Sequence, residues 1–199
     1  MQYFLGMEVA GSRKRISISQ RKYILDLLTE TSMLGCKPSD TPIRARKRTK
    51  SDGKPVDRER YQRLVGRLIC LSHTRPNIAF AVSVVSQYMH SPKESHLEVV
   101  YKIIKYLKGS SRIRLFFKKG DSKKVEIYTN EDWAVSAEDR KSTTGYYTYV
   151  WGNLVTWRSK KQSAVARSSA EAEFRVVAQG MCEGLWLQKL LEELHITLL

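Results

Sequence analysis

The sequence predicts an α+β protein in two parts: a short N-terminal hairpin with a helical lobe, then a three-stranded antiparallel sheet packed by helices. Three observations carry this expectation. Apolar residues recur at helical spacing between about residues 20 and 109, and they alternate at strand spacing from about 125 to 158. Between these stretches, Gly109-Ser110-Ser111 breaks the helical pattern, so the expected parts are 1–110 and 111–199.

Residues 3 to 9 and 15 to 19 read as two strands joined by the basic turn Gly11-Ser12-Arg13-Lys14. Ser19 is expected to cap a helix with Tyr23, Ile24, Leu27 and Leu28 on one apolar face, ending at Gly35. Residues 37 to 57 are polar and irregular, and they contain the densest positive run, Arg44-Ala45-Arg46-Lys47-Arg48-Thr49-Lys50. Three helices follow. The first, about Arg58 to Ser72, turns Tyr61, Leu64, Val65, Leu68 and Leu71 inward. The second opens at Pro76 and carries Ile78, Ala79, Val82, Val85 and Met89. In the third, Ser91 reads as N-cap, Pro92 as the first helical residue, Glu94 as the capping-box partner and Gly109 as the stop. Its apolar face is Leu97, Val100, Tyr101, Ile104 and Leu107, and Lys102, Lys105 and Lys108 take the other side.

Arg112 to Lys118 reads as a connecting strand. The sheet is expected from Val125 onward, with a second strand over Ser142 to Val150, a Trp151-Gly152-Asn153 turn, and a third strand from Leu154 to Arg158. A helix then opens at Ser168, with Glu171 as its capping-box partner and Phe174, Val177, Ala178, Met181 and Leu185 facing the sheet.

A chain of 199 residues with 42% hydrophobic content has enough apolar material for real cores. Its formal net charge is +15. Such an excess favours a polyanionic partner, because each phosphate neutralised releases condensed counterions. The expected contacts are Arg13, Lys14 and Arg15, then Arg44, Arg46, Lys47, Arg48 and Lys50, and the helical Lys102, Lys105 and Lys108. The partner class is duplex nucleic acid or an RNA–DNA hybrid, bound weakly and without sequence preference. Cys36, Cys70 and Cys182 stand far apart, and neither they nor the four histidines have zinc spacing. Nothing approaches the roughly 18 apolar residues of a membrane span, so no membrane partner is expected. The N-terminus enters a strand-like pattern at once, without the layout of a signal or transit peptide. The reading is an intracellular protein, of cytoplasm or nucleus, or an organelle-encoded relic.

Tyr128-Thr129-Asn130-Glu131-Asp132-Trp133 has the form of a metal-binding nuclease strand, with an amide where the key carboxylate belongs. Three antiparallel strands followed by a helix carrying an inward carboxylate make the front half of an RNase H-like fold. That chemistry uses two divalent metals about 4 Å apart, held by carboxylate oxygens. Asn130 offers one neutral carbonyl oxygen and an N–H₂ that repels cations. Asp132, two residues on, is a weak substitute on the same strand face.

Further blocks extend the pattern over nearly the whole chain. They are Tyr3-Phe4-Leu5-Gly6, Ile18 to Tyr23, Tyr61 to Leu68, Thr74-Arg75-Pro76-Asn77-Ile78-Ala79-Phe80-Ala81-Val82 and Tyr106-Leu107-Lys108-Gly109. Downstream stand Tyr128 to Trp133, Lys141 to Tyr146, Trp157 to Gln162 and Ser168 to Phe174. In this order they resemble the Pol polyprotein of copia-type LTR retrotransposons, from the end of the reverse transcriptase into its ribonuclease H domain. The resemblance implies a strand pair near the primer grip, a thumb over residues 19 to 109, and a truncated ribonuclease H domain from 125 onward. It places the family's strand Asp at Asn130 and its helix Glu at Glu173, and it implies magnesium in the intact family.

The expected function is therefore a degenerate Pol segment, catalytically inactive, with no cofactor of its own and a basic nucleic-acid-binding surface. Alternatives are a residual metal-dependent ribonuclease H acting on RNA–DNA hybrids, a domesticated protein-interaction module, and a relic without function. The strand Val125–Asn130 is expected at an open sheet edge, where it offers a route to self-association.

Overall fold

The computed structural model describes residues 2–4, 6–43, 53–120, 124–132, 141–162 and 164–196. It divides into two units, Met1–Phe116 and Phe117–Leu199, where the sequence placed the boundary near 110/111.

The first unit opens with strands β1 (Gln2–Phe4), β2 (Met7–Gly11) and β3 (Arg15–Ser19), paired antiparallel in that order. The expected single strand over 3 to 9 is instead two. Gly6 has φ +79°, a conformation glycine adopts without a Cβ penalty, and it turns the chain so that Phe4 faces Met7. Strand β4 (Leu115–Lys118) completes the four-stranded sheet beside β3.

Four helices make the core: α1 (Arg21–Glu30), α2 (Arg58–Ser72), α3 (Pro76–Ser86) and α4 (Glu94–Gly109). The inward faces of α1 and α2 are as expected: Ile24, Leu27, Leu28, Tyr61, Leu64, Val65, Leu68 and Leu71 are buried together, with Tyr23 packed half-buried against them. On α3 and α4 the face includes Ala81 and Ile103 as well, and Ala79 is only half-buried. Asp57 caps α2, accepting from the N–H groups of Glu59 and Arg60 at 3.0 and 3.2 Å. Glu30 links α1 to α2 through ion pairs with Arg63 and Arg67.

Two expected caps are displaced. The Ser19 hydroxyl does accept from the Arg21 N–H at 3.2 Å, but the cap residue is Gln20, and α1 ends at Glu30, before Gly35. Ser91-Pro92 lies outside α4, whose cap position is Lys93. The role expected of Glu94 falls to His96, a buried ring whose Nδ1 accepts from the Lys93 N–H at 3.1 Å. Glu94 turns instead to the neighbouring loop and accepts from the Lys54 N–H.

The second unit contains β5 (Val125–Asp132), β6 (Thr143–Val150), β7 (Asn153–Lys161) and α5 (Ser169–Glu193). The strands form an antiparallel sheet in sequence order, joined at β6–β7 by Trp151 and Gly152, both at positive φ. Two such residues in a two-residue loop match the right-handed twist of a hairpin. Among the described residues β5 pairs only with β6, so it is an edge strand. The start of α5 is capped as expected. Ser168 accepts from the Glu171 N–H, and the Glu171 carboxylate accepts from the Arg167 N–H at 2.8 Å. That backbone donor, aided by Arg175, holds the Glu171 carboxyl below its usual range. Its contribution is present at neutral pH and disappears as pH falls through that lowered value.

The expected apolar face of α5 is overturned. Phe174 is 75% exposed, Met181 65%, Leu185 62% and Val177 50%, and Ala178 is exposed too. The helix instead meets the sheet through Ala172, Val176, Gly180, Leu187 and Leu191. Small residues allow a close approach: a Cβ on Gly180 would lie 2.7 Å from Thr129 Cγ2, and one on Gly184 3.0 Å from Ile127 Cδ1. Hydrophobicity at helical spacing marks the stripe of bulky residues, and packing selects the other, which mixes Ala172 and Gly180 with Val176, Leu187 and Leu191. The buried seam is also partly polar. Glu183 accepts from Tyr146 Oη at 3.1 Å and Thr156 Oγ1 at 2.8 Å, and burial first, then this carboxylate, raises the Tyr146 pKa.

Two glycine substitutions should move stability in opposite directions. Gly66→Ala in α2 meets nothing within 4 Å and should stabilise the first unit by about 0.5–1 kcal/mol. Gly180→Val overpacks against stiff, β-branched Thr129 and should destabilise the second unit by about 1–3 kcal/mol. Urea unfolding of the two variants checks both signs.

Candidate nucleic-acid interface

The net charge is not shared between the units. Residues 1–116 hold 23 Lys and Arg against 9 Asp and Glu, a balance of +14, and residues 117–199 hold 12 against 11, a balance of +1. The positive excess therefore lies almost wholly in the first unit.

Within it, an open cleft of about 510 Å³ lies over β2, β3 and the start of β4. Ala10, Gly11, Ser12, Arg15 and Ser17 line one side, and Arg112, Arg114 and Phe116 the other. The tight β2–β3 turn presents Arg13, Lys14 and Arg15 to solvent, held by the Ser12 N–H donating to the Arg15 carbonyl at 2.8 Å. Arg112 and Arg114 are exposed as well, and Phe116, on β4, is 48% exposed. Guanidinium groups fit phosphate oxygens as planar forks, and an exposed ring gives a base or sugar an apolar platform.

The cleft's two walls are tied back to the start of α3 by adjacent residues. Thr74 Oγ1 donates to Oε1 of Gln20, the residue after β3, at 2.6 Å, and both residues are buried. Arg75 is 2% exposed, and its guanidinium donates to the carbonyls of Ser110 at 2.6 Å and Ile113 at 2.8 Å. Burial lowers the Arg75 pKa, yet the fork has carbonyl oxygens to spend its charge on. Thr74-Arg75 therefore fixes both β3 and the segment that carries Arg112 and Arg114.

The sequence-predicted contacts fare unevenly. Arg13, Lys14 and Arg15 stand exposed, and Arg15 enters the cleft. Arg44, Arg46, Lys47, Arg48 and Lys50 lie outside the described residues. The lysine stripe of α4 is not a uniform solvated face: Lys105 is exposed and Lys102 half-buried, while Lys108 donates to the Cys36 carbonyl and serves the fold. Arg112 and Arg114 were missed. The available signal was the alternation Arg112, Arg114, Phe116, which puts all three on one face of an extended segment.

The residues expected of a nuclease remnant, Asn130, Asp132 and Glu173, lie on β5 and α5. Ile127 and Thr129 lie under α5, so by strand alternation Asn130 falls with Tyr128 on the opposite face. Glu173 is exposed on α5, between buried Ala172 and Val176. Asp132 ends β5 opposite Thr143. Glu131 has the parity of the covered face, and Gln162 donates to it at 3.4 Å. Among the described residues no three His, Cys, Asp or Glu side chains are grouped to hold a metal. An amide at Asn130, on the face away from the Glu173 helix, does not fit a pair of magnesium ions.

The chain is 42% identical over its full length to the retrovirus-related Pol polyprotein of transposon RE1 from Arabidopsis thaliana. It is 34% identical, over 98% of its length, to that of transposon TNT 1-94 from Nicotiana tabacum. It belongs to the copia-type retrotransposon Pol family. The match spans 14% of the RE1 polyprotein and 15% of the TNT 1-94 polyprotein. A shorter relative, the uncharacterized mitochondrial protein AtMg00810 of Arabidopsis thaliana, is 34% identical, with 94% of this chain and 78% of that protein aligned. No family model matches the chain, and no solved structure does. No helix among the described residues is long and apolar enough to cross a membrane.

Replacing Arg75 tests the tie. Arg75→Ala leaves two carbonyls without their charged donor and should cost about 2–4 kcal/mol in urea unfolding of the first unit. Arg75→Lys replaces a fork with a point charge and should recover no more than about half of that loss.

Proposed function

We propose that this Pol segment binds duplex nucleic acid or RNA–DNA hybrid through its first unit, as a thumb-like clamp, and does not cut it. The observation that carries the reading is the concentration of +14 in residues 1–116, with Arg15, Arg112 and Arg114 around one cleft. Contacts of this kind neutralise phosphates and carry no base readout, so the binding is sequence-independent and salt-sensitive. The second unit is read as the RNase H-like part of the family. Three antiparallel strands in sequence order and a helix over one face support that assignment. Its catalytic site is read as lost, because the strand position holds Asn130 and the carboxylate of Glu173 has no grouped partners among the described residues. The free edge of β5 supports a weak tendency to self-associate at high concentration.

Binding is tested by anisotropy on a labelled duplex. With Arg13, Lys14, Arg15, Arg112 and Arg114 engaged, log affinity should fall against log salt with a slope of about −4 to −5. Removing Arg112 and Arg114 together should flatten the slope by about 2. Affinity indifferent to salt would contradict the clamp.

Catalysis is tested on a labelled RNA–DNA hybrid with magnesium or manganese. No cleavage is expected, and Asn130→Asp alone should not restore it, since its strand face is not the one α5 covers. Magnesium-dependent cleavage that Glu173→Ala abolishes would overturn this reading.

A further inference from the structure

In the second unit α5 covers one face of the sheet, and among the described residues of that unit the other face carries no helix and is aromatic. Pairing places Tyr128 opposite Tyr147 and Tyr147 opposite Trp157, so three rings form a row across all three strands. Tyr149 lies one step along β6, with its ring edge-on to Tyr128 at 5.9 Å. Tyr128 is 56% exposed and Tyr147 46%, a large apolar area for a sheet surface. Tyr128, Tyr147 and Tyr149 line an open pocket of about 440 Å³, together with Gly152 of the hairpin turn and Glu126. The Tyr128 hydroxyl donates to Glu126 Oε1 at 3.4 Å, which orients the carboxylate beside the rings.

We propose that this pocket holds an unpaired nucleobase, and that its chemistry selects guanine. Ring faces at the pocket wall suit stacking, which every base offers and which favours splayed single strands over paired duplex. The carboxylate supplies the selection. Glu126 presents two acceptor oxygens and no donor. Guanine alone among the four bases has two adjacent donors on its Watson–Crick edge, N1–H and N2–H₂, matching a carboxylate in a paired hydrogen bond. Adenine and cytosine present one amino donor beside an acceptor nitrogen. Uracil presents one N–H between two carbonyls, and these face the carboxylate unfavourably. A lone acidic residue in an aromatic pocket also disfavours a phosphate there, so the base and not the backbone is the group received. The proposal is separate from the duplex-binding reading, because it uses the nearly neutral unit and a different strand geometry.

The test is anisotropy of fluorescein-labelled heptanucleotides on the full chain: seven uridines, and the same strand with a central guanosine or adenosine. The guanosine strand should bind about 10-fold tighter than the uridine strand. Glu126→Gln should bring guanosine and adenosine strands within about 2-fold of each other, with stacking affinity kept. Tyr147→Ala should weaken the guanosine strand about 10-fold, and Tyr147→Phe should not. Replacing Arg112 and Arg114 by alanine should weaken all strands alike and leave the guanosine preference intact. That pattern separates this site from the basic cleft. Equal affinity for the three strands, or a guanosine preference that survives Glu126→Gln, would overturn the proposal. So would binding of an unrelated Tyr- and Pro-rich peptide with no response to guanosine monophosphate, since that outcome assigns the face to protein.

Discussion

The Arg75 guanidinium enters the interior of the first unit with main-chain carbonyls of Ser110 and Ile113 as acceptors, and the shape of the basic cleft depends on that contact. A buried cation without acceptors is too costly to keep, so the segment from 110 to 113 must bring its carbonyls inward. The side chains that flank them, Arg112 and Arg114, stand outward as a result. Thr74 makes the matching tie to Gln20, the residue after β3. Adjacent residues at the start of α3 thus set the spacing between Arg15 and the two later arginines, none of which has a place in the hydrophobic core.

Charge and packing divide the chain along the same line. The first unit buries a broad cluster from all four helices and carries nearly all the positive excess. Among the described residues the second has few buried large apolar side chains, a helix seam that includes Glu183, and exposed rings at Tyr128 and Tyr147. A rigid core can carry repelling arginines on its surface at little relative cost, since their mutual repulsion is screened over about 8–10 Å at ordinary salt. The smaller unit has less to spare, which agrees with its near-neutral balance and its reliance on close contact at Gly180.

The helical lobe was legible in the sequence because its signals are redundant. On α2 the 3.6-residue apolar period repeats through Tyr61, Leu64, Val65, Leu68 and Leu71, and each of these residues points to the same buried face. The hairpin and sheet were legible from alternation and from the Trp151-Gly152 turn. What failed had a specific cause each time. Gly6 broke a strand whose apolar pattern ran through it. His96 displaced Glu94 as the partner of the α4 cap, because a ring nitrogen can accept as a carboxylate does. On α5 the longest apolar stripe pointed one way and the packing surface the other, since Ala172 and Gly180 interrupt the hydrophobic signal of Val176, Leu187 and Leu191. The cleft was half visible: the Arg13–Arg15 turn announces itself as a run, whereas Arg112 and Arg114 meet Arg15 only through the β3–β4 pairing.

Arginine footprinting with phenylglyoxal, read by mass spectrometry on the full chain with and without saturating duplex at low salt, addresses the central claim most directly. Duplex is expected to protect Arg15, Arg112 and Arg114 together, while Arg158 and Arg167 in the second unit react as before. Arg75 is expected to stay unreactive in both states, because its guanidinium is already enclosed. Protection concentrated at Arg158 and Arg167, with Arg112 and Arg114 still open to the reagent, would contradict that claim.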